Sequence, residues 1–196
     1  MSSLSHDLGQ CRKAVFAYAG TFVLKGIGMA ELRWSESFEM GVPVMDQTHE
    51  EFIDLLAQVV QANDAQLMAL WNALVEHTVS HFAREDRWMT DTGFSANNCH
   101  TLHHQMVLRV LRDGKKRGDA GELAVVRQMA DELSIWFSQH ANSMDAALAQ
   151  HLRHVGYDET TGQVRLTEAL PTSAIEGCHG TNCTPDDGVQ AKLANA

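Results

Sequence analysis

Several features that would argue against long helices are scarce in this sequence. Its 196 residues include only three prolines, so few positions would interrupt a helix. Its four cysteines are too few and too scattered for a disulfide framework, which makes a reducing cytoplasm the expected location. An apolar run from Ala14 to Leu24 is too short to span a bilayer. A helical globular protein is the class that these absences leave.

Positive charge is also in short supply. Lysine and arginine number 15 against 25 acidic residues, a net charge of −10, which argues against nucleic acid or an anionic membrane as a main partner. Hydrophobic residues make up 44% of the chain, and its length allows one domain with a substantial core. Histidine is plentiful, with 11 residues, and the positions of these side chains along the chain carry more information than their number.

Four segments repeat apolar residues at the three- and four-residue steps of an amphipathic helix. These predicted helices cover residues 46–62, 65–89, 99–117 and 121–153. Asp46, Asp64 and either Asn97 or Asn98 are the predicted N-caps, and Gly156 closes the last helix. Because the connections are short, we predict an all-α fold, an antiparallel up-down-up-down four-helix bundle.

The predicted bundle domain covers residues 31–156, and it begins with an extended arm at residues 31–44. Residues 1–30 do not resemble the rest of the chain. They have three interpretations: a signal peptide, an extra packed helix, or sequence upstream of a true start at Met29. We favour the last, because the recognisable domain begins just beyond it.

Residues 157–196 shift in composition to glycine, threonine, proline and aspartate, which predicts a mostly irregular, flexible tail. A short ordered piece around residues 164–170 is compatible with this sequence. Cys178 and Cys183 lie in the tail, and two hypotheses for them are a redox-responsive dithiol and an adventitious metal site.

The predicted inward faces of the four helices carry seven histidine and carboxylate side chains. They are His49, His81, Glu85, His100, His104, His140 and Asp145. A lone buried histidine is usually a hydrogen-bonded core residue, but five of them on four helices reverse that expectation. Burying so many polar groups without partners would be costly, and a metal would supply the partners.

Seven ligands exceed what one zinc or iron ion takes, whereas two metals that share bridging carboxylates fit the number. Iron or manganese suits a mixed set of imidazoles and carboxylates, and iron is favoured if oxygen is involved. One spacing resists regular geometry. Asp145 follows His140 by five residues, about 140° away from it around an α-helix. Either the helix widens locally into a π-type turn, or the carboxylate reaches in from the flank.

The motifs that carry these residues resemble those of the hemerythrin family, in particular the bacteriohemerythrins. The matching pattern is Met40-Gly-Val, Asp46-Gln-Thr-His49, His81-Phe-x-x-Glu85, His100-x-x-x-His104 and Trp136-x-x-x-His140-x-x-x-x-Asp145. The resemblance covers roughly residues 31–155. It departs from the family at Thr48, where glutamine is usual, and at Asp86, where a second glutamate is common.

The resemblance implies a non-haem di-iron centre with an oxo or hydroxo bridge that binds O₂ reversibly. One iron would be held by His100, His104 and His140, and the other by His49 and His81. Glu85 and Asp145 would bridge the two. The iron with two histidines would keep an open position for O₂. The expected function is oxygen storage, or delivery to oxygen-requiring enzymes, by a monomer that is not itself an enzyme. The alternatives are a di-iron oxidase or peroxidase, and an oxygen or redox sensor.

Apolar residues beside the predicted ligands suggest an oxygen pocket that excludes water. They are Ile53, Phe82, Trp136 and Phe137, each of which has ordinary bundle core as its alternative role. Three further residues are not predicted to be ligands. We expect His77 to be partly exposed or hydrogen-bonded, His103 to point outward, and Cys99 to be a packed residue without a companion thiol.

Overall fold

Four helices pack side by side to form the domain. The structure, a computed structural model, describes residues 32–94 and 99–173. Its helices are α1 (Pro43–Gln61), α2 (Asp64–Asp91), α3 (Cys99–Asp119), α4 (Leu123–His140) and α5 (Ala146–His154). Each of the first three packs against the next in the chain, and α1 packs against α4 to close the ring. The predicted all-α, antiparallel four-helix bundle is confirmed.

The start of α1 differs from the sequence-based prediction. The helix begins at Pro43, three residues before Asp46, and proline is well tolerated there because the first turn needs no N–H donors. The N-cap residue is Val42, so the prediction of Asp46 as N-cap is wrong. Instead, the Asp46 carboxylate accepts hydrogen bonds from the backbone N–H groups of Met40 (2.6 Å) and Gly41 (3.0 Å). Asp46 therefore anchors the preceding arm.

The start of α2 was also predicted one residue late. Asn63 is the N-cap, and its side chain accepts from the N–H of Gln66 at 3.1 Å, while the Gln66 side chain accepts from the N–H of Asn63 at 3.4 Å. This reciprocal pair is a capping box, which satisfies two backbone donors that the helix itself cannot. The predicted caps Asn97 and Asn98 lie outside the described residues.

The N-terminal arm, described from Leu32 onward, contains a short 3₁₀ helix, Glu36–Phe38, within the stretch predicted to be extended. Phe38 is buried, with its ring centroid 5.8 Å from that of Phe137. The guanidinium of Arg153, near the end of α5, donates a hydrogen bond to the carbonyl of Met40. The arm is thus joined to both the first and the last helix of the bundle.

The fourth helix of the bundle is not regular along its length. Between α4 and α5 lies a π-helical segment, Ala141–Asp145, and the helix runs through it without a break. Of the two alternatives for Asp145, the π-type widening is therefore the one found. A turn closed by i→i+5 hydrogen bonds brings a residue five positions on to the same face as the starting residue. Asp145 consequently lies on the inward face with His140.

The chain after α5 returns to the bundle. Gly156, at φ +61°, ends the helix, and a small antiparallel sheet pairs β1 (Tyr157–Asp158) with β2 (Gln163–Val164). A 3₁₀ helix at Thr167–Ala169 follows. The Tyr157 hydroxyl donates to Asp91 Oδ2 at 2.8 Å, which fastens this hairpin to the end of α2. The sequence allowed an ordered piece around residues 164–170, and the order found here extends back to residue 157.

Several predictions fall on residues that the structure does not describe. They concern residues 1–30, the tail beyond residue 173 and its two cysteines, Cys178 and Cys183. Within the described ranges, none of the helices combines the length and the apolar character needed to cross a membrane.

Candidate metal centre

The seven predicted side chains converge in the middle of the bundle. His49 comes from α1, His81 and Glu85 from α2, His100 and His104 from α3, His140 from the end of α4, and Asp145 from the π segment. Each is at most 3% exposed to solvent. Regular helical spacing explains the two pairs on α2 and α3, because residues four apart lie on one face.

These side chains form two groups that share Glu85. The three-histidine group consists of His100, His104, His140, Glu85 and Asp145, and the two-histidine group consists of His49, His81 and Glu85. In each group every residue offers one ligand atom, and those atoms all lie within 4.8 Å of one another. Either group could hold a metal ion.

Glu85 directs its two carboxylate oxygens to different groups. Oε1 lies 2.9 Å from Nε2 of His81 and 3.7 Å from Nε2 of His49. Oε2 lies 3.2 Å from Nε2 of His104 and 3.5 Å from Nε2 of His100. One carboxylate therefore faces two separate sets of imidazoles.

Asp145 divides its oxygens in the same way. Oδ2 lies 3.3 Å from Nε2 of His49, in the two-histidine group. Oδ1 lies 2.9 Å from Nε2 of His100 and 3.1 Å from Nε2 of His140, in the three-histidine group. Both carboxylates can thus contact two adjacent ions at once.

Several inward-facing atoms of this cluster have no hydrogen-bond partner. Among the described residues, His49 Nε2, His100 Nε2 and both Asp145 oxygens are buried without a hydrogen-bond partner, since their short contacts lack hydrogen-bonding geometry. Unpaired polar atoms in a core are expensive, and cation ligation would satisfy them. Five imidazole nitrogens with two carboxylates form a donor set that suits iron. The residues present fit a pair of iron ions.

A comparison with known proteins identifies the family. The model of the hemerythrin HHE cation binding domain matches residues 40–152, more than half of the chain. The chain belongs to the hemerythrin family. Membership supports, at the level of the family, a non-haem di-iron protein that binds oxygen.

Individual relatives agree with this assignment. A bacteriohemerythrin of Ralstonia nicotianae is 34% identical over 130 residues, which cover 66% of this chain and 95% of the relative. A bacteriohemerythrin of Pseudomonas paraeruginosa is 32% identical over 64% of this chain and 84% of its own length. A myohemerythrin of Riftia pachyptila is 28% identical over 57% and 86% of the two chains. No solved structure gives a significant match.

The carboxylates and imidazoles of the cluster shift one another's pKa values before any metal is bound. Burial opposes a charge on His49 and on His100, but the adjacent carboxylates of Asp145 and Glu85 raise the pKa of these imidazoles to about 10 and about 9. Burial would likewise raise the pKa of Glu85 and of Asp145, yet the surrounding imidazoles hold both pKa values well below their usual range. For His140 burial dominates and lowers the pKa to about 3. Burial also opposes a charge on His104, but the carboxylates of Asp86 and Glu85 raise its pKa as well. His49 and His100 are therefore imidazolium groups beside the two buried carboxylates at pH 7.

Aromatic side chains surround the clustered histidines on several sides. Phe137 meets His49 edge-on, with ring centroids 5.3 Å apart. Phe82 stacks on His104 at 3.9 Å and lies 5.2 Å from His81. Trp136 stacks on His140 at 4.5 Å. Phe82 and Trp136 contact histidines of the three-histidine group, whereas Phe137 contacts His49 of the two-histidine group. The fourth predicted pocket residue, Ile53, is buried, with 2% of its surface exposed.

Two further aromatic residues were not predicted to belong to the pocket. Phe52 stacks on Phe137 with centroids 4.6 Å apart and lies 6.3 Å from the His81 ring. Phe38 packs on Phe137 from the arm. The helical position of Phe52, three residues after His49 on the inward stripe, was a usable signal. Phe38 gave no such signal in the sequence, because the residues of the arm do not repeat at a regular spacing.

The residues not predicted to be ligands have mixed outcomes. His77 Nε2 lies 3.1 Å from the carbonyl oxygen of Thr48 and the side chain is 16% exposed, which confirms a hydrogen-bonded histidine. His103 is half-buried and stacks 6.2 Å from His140, so the outward prediction is wrong. Burial lowers the pKa of His103 to about 4. Cys99 is disulfide-bonded, so its interpretation as a residue without a companion is also wrong.

Proposed function

We propose that this hemerythrin binds O₂ reversibly at a di-iron centre held by its seven buried side chains. The three histidines of the larger group, His100, His104 and His140, would hold one iron, and His49 and His81 the other. Glu85 and Asp145 would bridge the pair together with an oxo or hydroxo group. The observation that supports this most strongly is that each carboxylate directs one oxygen to each group of histidines.

The chemistry that such an iron pair supplies is the reversible binding of O₂, and the chain's own residues hold and shield it. The two-histidine group provides fewer ligands, so an open position belongs there. Phe137 meets His49 edge-on and is backed by Phe52 and Phe38, three rings that are each at most 7% exposed. This apolar wall would keep water away from the open position.

The composition of the cluster favours a carrier over an oxidase or peroxidase. Ferritin-like di-iron proteins build their centres mainly from carboxylates in Glu-x-x-His motifs. Here five imidazoles accompany two carboxylates, and Glu85 and Asp145 are the only buried carboxylates among the described residues. No further internal carboxylate in that part of the chain could shuttle protons or iron. Storage of O₂, or its delivery to oxygen-requiring enzymes, is the proposed role.

The deciding experiment adds O₂ to the anaerobically reduced protein and then removes it. We expect two irons per chain and a peroxide-to-iron charge-transfer band that appears and disappears through repeated cycles. Irreversible oxidation with turnover of a substrate would point to an enzyme instead. Fewer than two irons per chain would contradict both functions.

A matched pair of variants tests the ligand assignment. His49→Ala removes a proposed ligand of the open iron, whereas His151→Ala removes a buried histidine that is hydrogen-bonded to the carbonyl of Thr92 and lies outside the cluster. We expect the first variant to lose the oxygen-dependent band and the second to keep it. Loss of the band in both variants would mean that general destabilisation, and not ligation, is being measured.

A further inference from the structure

The outer nitrogens (Nδ1) of the five proposed ligand histidines differ in their hydrogen bonding. Among the described residues, Nδ1 of His49, His81, His100 and His140 is buried without a hydrogen-bond partner. Nδ1 of His104 is the exception, because it lies 2.8 Å from Oδ1 of Asp86. Asp86 therefore gives one of the five imidazoles a carboxylate partner at its outer nitrogen, Nδ1.

The local structure of α2 explains how Asp86 reaches this nitrogen. His81 and Glu85, one helical turn apart, point into the cluster. Phe82 and Asp86 follow each of them by one residue and so form a second pair on the neighbouring face, toward α3. The Phe82 ring lies parallel to that of His104, at 3.9 Å and 6°. Phe82 therefore contacts the face of the His104 ring, and Asp86 contacts its edge.

The Asp86 side chain has one polar partner among the described residues, and that partner is His104. The Asp86 carboxylate is 38% exposed on the outer side, while His104 is 1% exposed. Its contact with His104 is the one ion pair or hydrogen bond that the carboxylate makes within the described ranges. A neutral imidazole that donates from Nδ1 to a carboxylate has its lone pair on Nε2, which is the tautomer a metal ligand needs.

We propose that Asp86 is a positioning residue that fixes His104 with its proton on Nδ1 and its Nε2 lone pair directed into the three-histidine group. This inference rests on the proposed di-iron function. The acceptor also makes the imidazole a stronger electron donor, so Asp86 favours the more oxidised state of the iron beside it. Asp86 stands where the related motif commonly has a longer glutamate, so a shorter side chain is placed here at hydrogen-bonding distance.

Four variants test the proposal. Asp86→Ala removes the acceptor, Asp86→Asn keeps an acceptor without the charge, and Asp86→Glu keeps the charge on a longer side chain. Glu76→Ala is the matched control, because Glu76 is an exposed carboxylate on the same helix, more than two turns away. Alanine is a better helix former than either acid, so none of these alanine changes weakens α2 by propensity.

The first readout is the affinity of the metal-free protein for Fe²⁺ added anaerobically against a chromophoric chelator. We expect Asp86→Ala to weaken binding of one of the two ions by about 10- to 100-fold, as is typical when the partner of a ligand histidine is lost. Asp86→Asn should lie between this variant and wild type, Asp86→Glu should recover most of the affinity, and Glu76→Ala should match wild type. The midpoint potential should shift to more positive values in the alanine and asparagine variants.

The second readout needs no metal. Two-bond ¹H–¹⁵N spectra of the metal-free protein, across a pH series, report which ring nitrogen of neutral His104 carries the proton. We expect Nδ1 in wild type and loss of that preference in Asp86→Ala. Unchanged spectra together with unchanged Fe²⁺ affinity would overturn the inference. If wild type itself takes up no iron, the proposed function fails, and the spectra still decide the role of Asp86.

Discussion

Phe137 is both a core residue and a proposed wall of the oxygen pocket. It is 1% exposed, stacks on Phe52 and meets the ring of His49 edge-on. As a core residue, it contributes to stability wherever it lies in the bundle. As a wall of the two-histidine group, it should also control how readily water reaches the open iron position. These two contributions can be separated by substitution.

We predict that Phe137→Gln raises the autoxidation rate of the oxygenated protein at least several-fold, because a polar side chain admits water. The measurement is the decay of the oxygen-dependent band over time. Phe94→Gln is the control, since Phe94 is a buried phenylalanine that packs on His151, which is not one of the seven predicted ligands. Equal rates in both variants would show that stability loss, rather than water entry, drives autoxidation.

The protonation of the metal-free cluster yields a prediction about iron uptake. With pKa values of about 10 for His49 and about 9 for His100, both imidazoles carry a proton at pH 7 and must release it before they can bind a metal. We expect the uptake of two Fe²⁺ ions at pH 7 to release at least two protons per chain, and the affinity to rise with pH up to about 9. An indicator dye in weak buffer measures the release, and a value near zero would contradict the prediction.

The same pKa shifts set the sign of the pH dependence of stability. Because the pKa of each imidazole is raised in the folded metal-free protein, its contribution is complete below pH 6.5 and is lost as the pH rises through 9 to 10. Thermal unfolding of metal-free protein should therefore occur at progressively lower temperature above pH 6.5. Iron-loaded protein should not show this trend, since metal replaces the two protons.

At the level of the helix, the π segment decides where Asp145 lies. A π turn takes up one extra residue, so the helix beyond it continues in the register that it would have had without that residue. Leu148 and Leu152, both at most 2% exposed, accordingly stay on the buried side of α5. The five-residue step from His140 to Asp145 in this turn is equivalent to a four-residue step in a regular helix.

This equivalence predicts that one deletion is tolerated. Removing Asn142, an exposed residue of the π segment, would leave Asp145 four residues after His140 in a regular α-helix. We expect the deletion variant to bind two irons per chain, with a free energy of unfolding that falls by no more than about 1 kcal/mol. Loss of iron from this variant would mean that the π backbone itself is required.

Exchange of two neighbouring residues should have the opposite effect. In the variant Met144→Asp/Asp145→Met the carboxylate moves one position back, which turns it away from the ligands while the π turn persists. If the segment became regular instead, α5 would rotate by about 100° and expose Leu148 and Leu152. Both routes are unfavourable, so we expect fewer than two irons per chain. Metal analysis of this variant beside the Asn142 deletion checks both expectations.

Helix periodicity predicted the four main helices correctly, but it did not predict the N-cap of α1 or the burial of His103. Asp46 has the sequence features of an N-cap, yet Pro43 starts the helix earlier and the carboxylate binds the backbone of the arm. His103 lies about 100° from His104 on an ideal helix, but it stacks on His140 of the adjacent helix and is half-buried. Both errors arise because contacts between elements, which periodicity does not contain, override local preference.

At the level of the whole molecule, spacing predicted the composition of the cluster but not its internal arrangement. The pairs at one-turn spacing placed His81, Glu85, His100 and His104 on inward faces. Which carboxylate oxygen faces which imidazole depends on side-chain rotamers and on how four helices meet, and a linear pattern records neither. The contact of Asp86 with His104 was hidden for the same reason, since it joins two helices through positions 18 residues apart.

The hydrogen bond from Arg153 to the carbonyl of Met40 joins two positions 113 residues apart in the chain. They nearly coincide with the first and last residues of the family match, 40 and 152. The two ends of the matched domain therefore lie side by side. Adjacent ends of this kind are the arrangement that favours insertion of a domain into a surface loop of a host protein, and circular permutation.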